Sequence, residues 1–303
     1  TSMPGGDWVV GGKWMEYKWR PAFVEHQSMG TYVRLAIRLL TQGRGGGVVA
    51  WEPAGQLIAR GHAVHSLHPR VEEGVAGAHN RDVILHTETM PVHEYLPSAS
   101  GNQKAVSRMG FDEAAAYLPD YETALEAVAD EVDIFIGHHA NLTAVATARV
   151  ARRADKPYAL FLHGTGIEPR HEGGFDERIW ELIEDAIRGA AGILVTTDYV
   201  RDELVRPIVN LPEARFLVLP CGVDLEEFRP GAGAEARAKY DLPADYVICP
   251  GALTAMKGPQ NVVEASRVYA DLAPTVFIGD GELRAELETA LGDRGRFLGY
   301  VSK

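Results

Sequence analysis

Cysteine is nearly missing from this chain: Cys221 and Cys249 are the two among 303 residues. Each stands beside a proline in an apolar run, a pattern that argues against a disulfide framework and reads as two reduced, packed thiols. Long apolar runs are missing as well. None approaches the roughly 20 residues a membrane span requires, and no secretory leader is visible, so the expected setting is cytoplasmic. Positive charge is in short supply: 30 Lys and Arg stand against 42 Asp and Glu, a formal net charge of -12. That balance argues against DNA or RNA as a partner, because a phosphate backbone calls for a basic face. What remains is 46% hydrophobic and 24% charged, an ordinary globular composition with room for two cores.

Residues 1–31 carry two glycine pairs and Trp8, Trp14 and Trp19 but no sustained period. They read either as an appended segment or as sequence upstream of a start at Met29. From residue 33 the pattern turns regular. A strand over 33–40, a glycine turn over 43–47, a helix over 48–60 closed by Gly61 and a strand over 63–67 make a βαβ opening. Pro53 falls inside that helix and implies a kink or a later start. Apolar runs at 82–85, 132–136, 158–162, 192–195 and 216–219 alternate with alanine-rich helical stretches, which predicts a mostly parallel sheet covered on both faces. The Pro/Gly/Ala segment 228–233 has linker composition, and strands at 246–249, 276–279 and 296–298 begin a second series. The expected division is therefore 1–31, 32–228 and 229–303. The last part falls short of the roughly 100–150 residues of a complete doubly wound domain.

The chemistry-bearing residues sit where these strands end. In an α/β sheet that edge presents backbone N–H groups and helix N-termini to ligands. Gly46 and Gly47 belong to the first glycine turn, which lacks both the dinucleotide-binding spacing and a Walker lysine, so a tight turn without a ligand is the alternative there. Asp133-Ile134-Phe135-Ile136-Gly137-His138-His139-Ala140-Asn141 is a strand running out into two histidines and an amide. Neighbouring side chains there are expected to diverge, which, with no matching carboxylate or Cys cluster, makes a metal reading of His138 and His139 unattractive. Phe161-Leu162-His163-Gly164-Thr165-Gly166 repeats the theme, followed by Glu168, Arg170 and His171 as polar groups for a ligand's hydroxyls or anion; a simple turn is the alternative for His163. Thr197 reads as a helix cap.

Three further turns follow in order: Pro220-Cys221-Gly222-Val223-Asp224, Gly251-Ala252-Leu253-Thr254-Ala255-Met256-Lys257-Gly258 and Gly279-Asp280-Gly281-Glu282-Leu283. Phe297-Leu298-Gly299-Tyr300-Val301 comes after them. This order resembles the sugar-nucleotide-dependent, retaining glycosyltransferases of family 4. The resemblance covers roughly residues 33–301 and is dense from Asp133 onward. It implies an α/β protein of two Rossmann-like doubly wound parallel-sheet domains, the GT-B fold, with the second incomplete at Lys303. It implies transfer of a sugar from a nucleoside-diphosphate sugar to an acceptor hydroxyl with retention, without a bound metal or cofactor.

In that family the lysine matched by Lys257 meets the departing diphosphate, and the histidine matched by His138 lies near the transferred sugar. Gly46, Gly47, Gly251, Gly258, Gly281, Glu282, Tyr300 and Val301 fall at donor-contacting positions, with turn amides gathered round the diphosphate. His163, Gly164 and Thr165 fall on the acceptor side. Two features depart from the pattern: Ala252 stands where the family has an arginine, and the paired-glutamate motif is absent before Lys303. They keep open a GT-B homologue that binds a nucleotide or partner without turnover, and the fold also admits a sugar-nucleotide epimerase. The expected partners are a nucleoside-diphosphate sugar and a small-molecule, lipid or glycan acceptor, with no nucleic acid and with self-association allowed.

Overall fold

The computed structural model describes residues 34–38, 46–69, 74–93, 102–222, 231 and 233–301. They lie in the compact unit Val33–Lys303, and the expectations for residues 1–31, for Gly43 to Gly45, for Val223 and Asp224 and for most of the linker fall outside them. Among the described residues the strands form a seven-stranded sheet in the order β3-β2-β1-β6-β7-β8-β9, with every neighbouring pair parallel. These are β1 (Arg34–Arg38), β2 (Ala63–His68), β3 (His79–Asp82), β6 (Ile134–His138), β7 (Tyr158–Leu162), β8 (Gly192–Val195) and β9 (Phe216–Val218). Helix α1 (Gly46–Ala59) links β1 to β2 through Pro53, and its end is closed by Gly61 at φ +87°. The Gly61 amide donates to the Ile58 carbonyl and that of His62 to Leu57, the double bond of a glycine-capped helix end.

Strand periodicity explains the two covered faces. Phe135 points into the large core formed with the helices of one side, while Ile134 and Ile136 pack with Ala54, Val64 and Leu57 on the other. The large core is built by α2 (Phe111–Ala115), α3 (Leu118–Glu126), α4 (Leu142–Arg153) and α6 (Glu177–Gly189). Helix α6 buries Ile179, Trp180, Ile183, Ala186 and Ile187, one stripe at helical spacing, and starts where the Asp176 carboxylate accepts the Arg178 amide. Between α4 and α6, α5 (Glu168–His171) is a single turn; α7 (Arg206–Val209) follows a π-helical turn at Val200–Val205.

The second sheet is parallel β10 (Val247–Pro250), β11 (Thr275–Ile278) and β12 (Gly295–Phe297), in the order β10-β11-β12. With it go α8 (Gly233–Lys239), α9 (Pro259–Tyr269) and α10 (Arg284–Leu291). Leu253, Phe277, Leu287 and Leu291 form its core. No described helix is long and apolar enough to cross a membrane.

Three expectations need correction. The strand expected at 82–85 is His79–Asp82, because β3 is an edge strand whose four residues are all exposed; pairing to β2, not an apolar run, defines it. Val83 is buried just past its end, but Ile84 is 74% exposed. Cys221 is exposed and not packed, since β9 ends at Val218 and leaves the Pro220-Cys221-Gly222 turn on the surface; Cys249 is half-buried in β10, and both thiols are free. A two-stranded parallel sheet of β4 (Met90–Val92) and β5 (Gln103–Ala105) was not foreseen, being three residues a strand with Pro91 in one of them.

Candidate functional site

In the seven-stranded sheet the chain runs outward from β1 one way through β2 and β3 and the other way through β6 to β9. The reversal lies between β1 and β6, and the crevice beyond the carboxyl ends of those strands is where open parallel sheets bind ligands. Gly46 and Gly47 open α1 on the β1 side. On the β6 side the strand ends in His138, and His139 takes a left-handed turn at φ +66°. Its amide still donates to the Phe161 carbonyl, 2.9 Å, tying the turn to β7. Asn141 then caps α4 by accepting the Thr143 amide at 2.9 Å, and the Thr143 hydroxyl donates to the His138 carbonyl. Beyond β7, Gly164 at φ +100° turns the chain under Val200 and Leu204, and Gly166 passes so close to His139 and Ala140 that a Cβ there would press on the Ala140 amide at 3.1 Å.

These turns gather four imidazoles. His138 Nδ1 and His163 Nε2 are 2.9 Å apart and share a proton-mediated bond. The His139 ring lies 4.7 Å from that of His163, and His93, at the end of β4, stacks on His139 at 3.9 Å and 13°. Phe161 stacks on His163 at 4.3 Å. The rings of His138 and His139 thus converge on His163 instead of diverging, because the left-handed backbone at His139 folds its side chain back toward β7. Among the described residues no group of three or more His, Cys, Asp and Glu side chains is arranged to hold a metal ion.

Burial sets the charge of the cluster. His138 and His139 are buried and their pKa values lie well below the ordinary imidazole range, through desolvation first and the neighbouring rings second. His163 is pushed down to about 4 by burial and then by His93. His93 is pushed down to about 4 by burial and then by the positive charge of Lys257. At neutral pH the four rings are uncharged, and each such ring both donates and accepts, the chemistry that suits hydroxyl groups. Nδ1 of His93, His139 and His163 is buried with no hydrogen-bond partner. His93, His163 and Thr165 are partly exposed, whereas His138 and His139 are buried.

Lys257 ends a short 3-10 turn, Ala255–Lys257, closed by Gly258 at φ +69°, and its side chain is exposed. Its positive charge is the second cause, after burial, of the lowered His93 pKa. The three loops of the second sheet are knitted by backbone. Gly251 N–H donates to Ile278, Leu253 to Asp280, Gly279 to Gly299 and Leu283 to Leu253. A Cβ on Gly279 would strike the Gly251 carbonyl, and one on Gly281 would lie 2.5 Å from that of Leu253. These glycines are required by loop packing. The amides of Gly251, Gly258 and Gly281 are also engaged, to the Ile278 carbonyl, the Ala255 carbonyl and the Asp280 carboxylate, so these three are satisfied within the protein. Glu282 and Tyr300 are exposed, and Val301 is half-buried, on these same loops.

Arg284 is held by Asp280 at 3.1 Å and Glu288 at 2.8 Å. The polar tail after Thr165 is structural: both Arg170 guanidinium ends meet the Glu177 carboxylate, and His171 Nε2 donates to the Leu204 carbonyl in the π-helical turn, 2.8 Å. Thr197 caps that turn by accepting the Val200 amide. Sequence reading missed His93; a lone histidine after a three-residue strand carries no periodic signal, and only the fold of β4 and β5 brings it to the cluster.

Residues 43–227 match the model of Glycosyltransferase Family 4. Over 185 residues the chain is 30% identical to D-inositol 3-phosphate glycosyltransferase 1 of Catenulispora acidiphila, covering 56% of this chain and 44% of that one. It spans under half the length of that relative. Among solved structures, a glycosyltransferase from Rickettsia africae superposes with a TM-score of 0.60 at 14% identity, over 89% of this chain and 69% of the other. UDP-GlcNAc 2-epimerase from Methanocaldococcus jannaschii superposes at 0.54 and 13%, over 89% and 74%. At such identities the shared property is the fold.

Proposed function

The chain belongs to glycosyltransferase family 4, and on that premise we propose that it takes part in moving a sugar from a nucleoside-diphosphate sugar to an acceptor hydroxyl, with retention. The donor diphosphate seats against Lys257. As the sugar–oxygen bond breaks, charge grows on the leaving phosphate, and a cation placed there beforehand lowers the barrier more than it stabilises bound donor. Gly46 and Gly47 approach the diphosphate from the α1 side. Gly251, Gly258 and Gly281 shape the loops that carry Lys257, while Glu282, Tyr300 and Val301 offer the remaining donor contacts. His163, Gly164 and Thr165 receive the acceptor, whose hydroxyls match neutral imidazole. His138, buried behind them, acts through its bond to His163. Residues 32–228 then form the acceptor-side domain and 229–303 the donor-side one.

What supports this reading is the cluster of four neutral imidazoles beyond the carboxyl ends of β6 and β7, at the switch point of the larger sheet, together with the exposed Lys257 in the turn after β10. The test is nucleotide release from UDP-, GDP- and ADP-sugars with a panel of polyol acceptors. Lys257→Ala is expected to lower turnover about 100-fold or more, the usual size of losing one preorganised charge-stabilising group. Unchanged turnover removes Lys257 from its role, and an isomerised sugar nucleotide formed without nucleotide release would make the protein an epimerase.

A further inference from the structure

Arg284 opens helix α10, where a cation opposes the helix dipole, so helix stability does not explain its presence there. Its guanidinium is committed to three groups instead. Nη1 donates to the Asp280 carboxylate at 3.1 Å, Nε to that of Glu288 at 2.8 Å and Nη2 to the Phe297 carbonyl at 3.4 Å. A Cβ on Gly299 would lie 3.5 Å from Nη1, which seats the group between the loop after β11 and the loop after β12. We propose that Arg284 is a positioning residue of the donor side: it neutralises the Asp280 carboxylate and keeps it on the Gly281 amide, so that the loop bearing Gly281 and Glu282 meets a diphosphate without an opposing charge.

This rests on the reading that a donor diphosphate binds against these loops, and two features of the bonding support it. Asp280 is divided between two partners: one carboxylate oxygen accepts the Gly281 amide at 2.8 Å and the other accepts Arg284. Without the guanidinium, an uncompensated negative charge stays on the loop, one residue from a proposed donor contact. Glu288 lies a turn further along α10 and is the more exposed of the two acids, its side chain 45% accessible against 36%, so Asp280 is the charge the loop must have balanced. The second feature is that all three guanidinium nitrogens have partners within the protein. Arg284 therefore acts through Asp280 and does not reach for the ligand itself.

Binding of inorganic pyrophosphate, UDP, GDP and ADP, followed by calorimetry at about 0.05 M and about 0.5 M salt, tests the proposal. Arg284→Gln is expected to bind about tenfold more weakly at the lower salt and to come closer to the unaltered protein at the higher, where exposed charges are screened. Asp280→Asn, whose amide oxygen can still accept the Gly281 amide, is expected to restore binding when combined with Arg284→Gln. Arg284→Lys, which keeps a cation beside Asp280, is expected to bind more tightly than Arg284→Gln. A loss caused by a disturbed fold, or by a guanidinium that meets the diphosphate directly, would persist in the double variant; that outcome overturns the proposal and leaves the donor reading standing. Binding unchanged in Arg284→Gln does the same. Binding indifferent to Lys257→Gln, or none by any of the four probes, overturns the donor reading and this proposal with it.

Discussion

At the scale of single residues, the site is governed by rings kept uncharged. His93 and His163 titrate near 4 in the folded protein against about 6.5 when unfolded. The unfolded chain therefore binds more protons between those values, and stability is complete above about pH 6.5 and declines as pH falls toward 4, by up to about 1.4 kcal/mol per pH unit for each ring. Thermal unfolding measured from pH 7 to 4 should show Tm falling through that window, and His163→Gln should flatten the fall. Asn141 offers a simpler case. Its carboxamide caps α4 by accepting the Thr143 amide, so Asn141→Ala is expected to cost about 1 kcal/mol in denaturant unfolding. The sequence pointed to His138 and His163 because each follows an apolar strand run, and to Lys257 through the resemblance of its glycine turn. It could not disclose His93, whose place depends on a parallel pair too short to leave a pattern, or the convergence of His138 and His139, which depends on one backbone angle.

At the scale of elements, strands with long apolar runs were legible to within a residue or two, as at β7 and β8, where burial on both faces demands such runs. Strand β3 was misplaced because an exposed edge strand satisfies its ladder with polar residues and needs no apolar signature. The glycine loops of the second sheet were legible as loops, but sequence does not reveal whether a missing Cβ makes room for a ligand or for another loop. Geometry favours the loop. Gly281→Ala places a methyl 2.5 Å from the Leu253 carbonyl and is expected to cost about 1–3 kcal/mol of stability, read as a lowered Tm without any ligand present. A ligand-only role for this glycine would leave Tm unchanged and alter binding alone.

At the scale of the whole molecule, the described residues form a seven-stranded and a three-stranded parallel sheet beside the short β4-β5 pair. The larger encloses a core that draws on α2, α3, α4 and α6, whereas the smaller rests on a cluster of four buried apolar residues with partial cover from Cys249, Val262, Val263, Leu283 and Phe297, and with Val276 buried outside that cluster. Local opening follows the number of buried apolar contacts. Amides of β10, β11 and β12 should therefore exchange with deuterium before those of β6, β7 and β8, and equal protection would show that the small sheet draws its stability from elsewhere. The order of motifs predicted the parallel α/β sheets correctly, because parallel strands must alternate with helices.

The exposed thiol at Cys221 has a practical outcome. It sits just after the last strand of the large sheet, at the entrance to the stretch that leads to the small one, while burial raises the pKa of the other thiol, Cys249, and keeps it protonated. A maleimide dye at neutral pH will label Cys221 first. The chain thus provides its own attachment point for a fluorescent reporter between the last strand of the larger sheet and the smaller one, and candidate ligands can be screened there without engineering a handle.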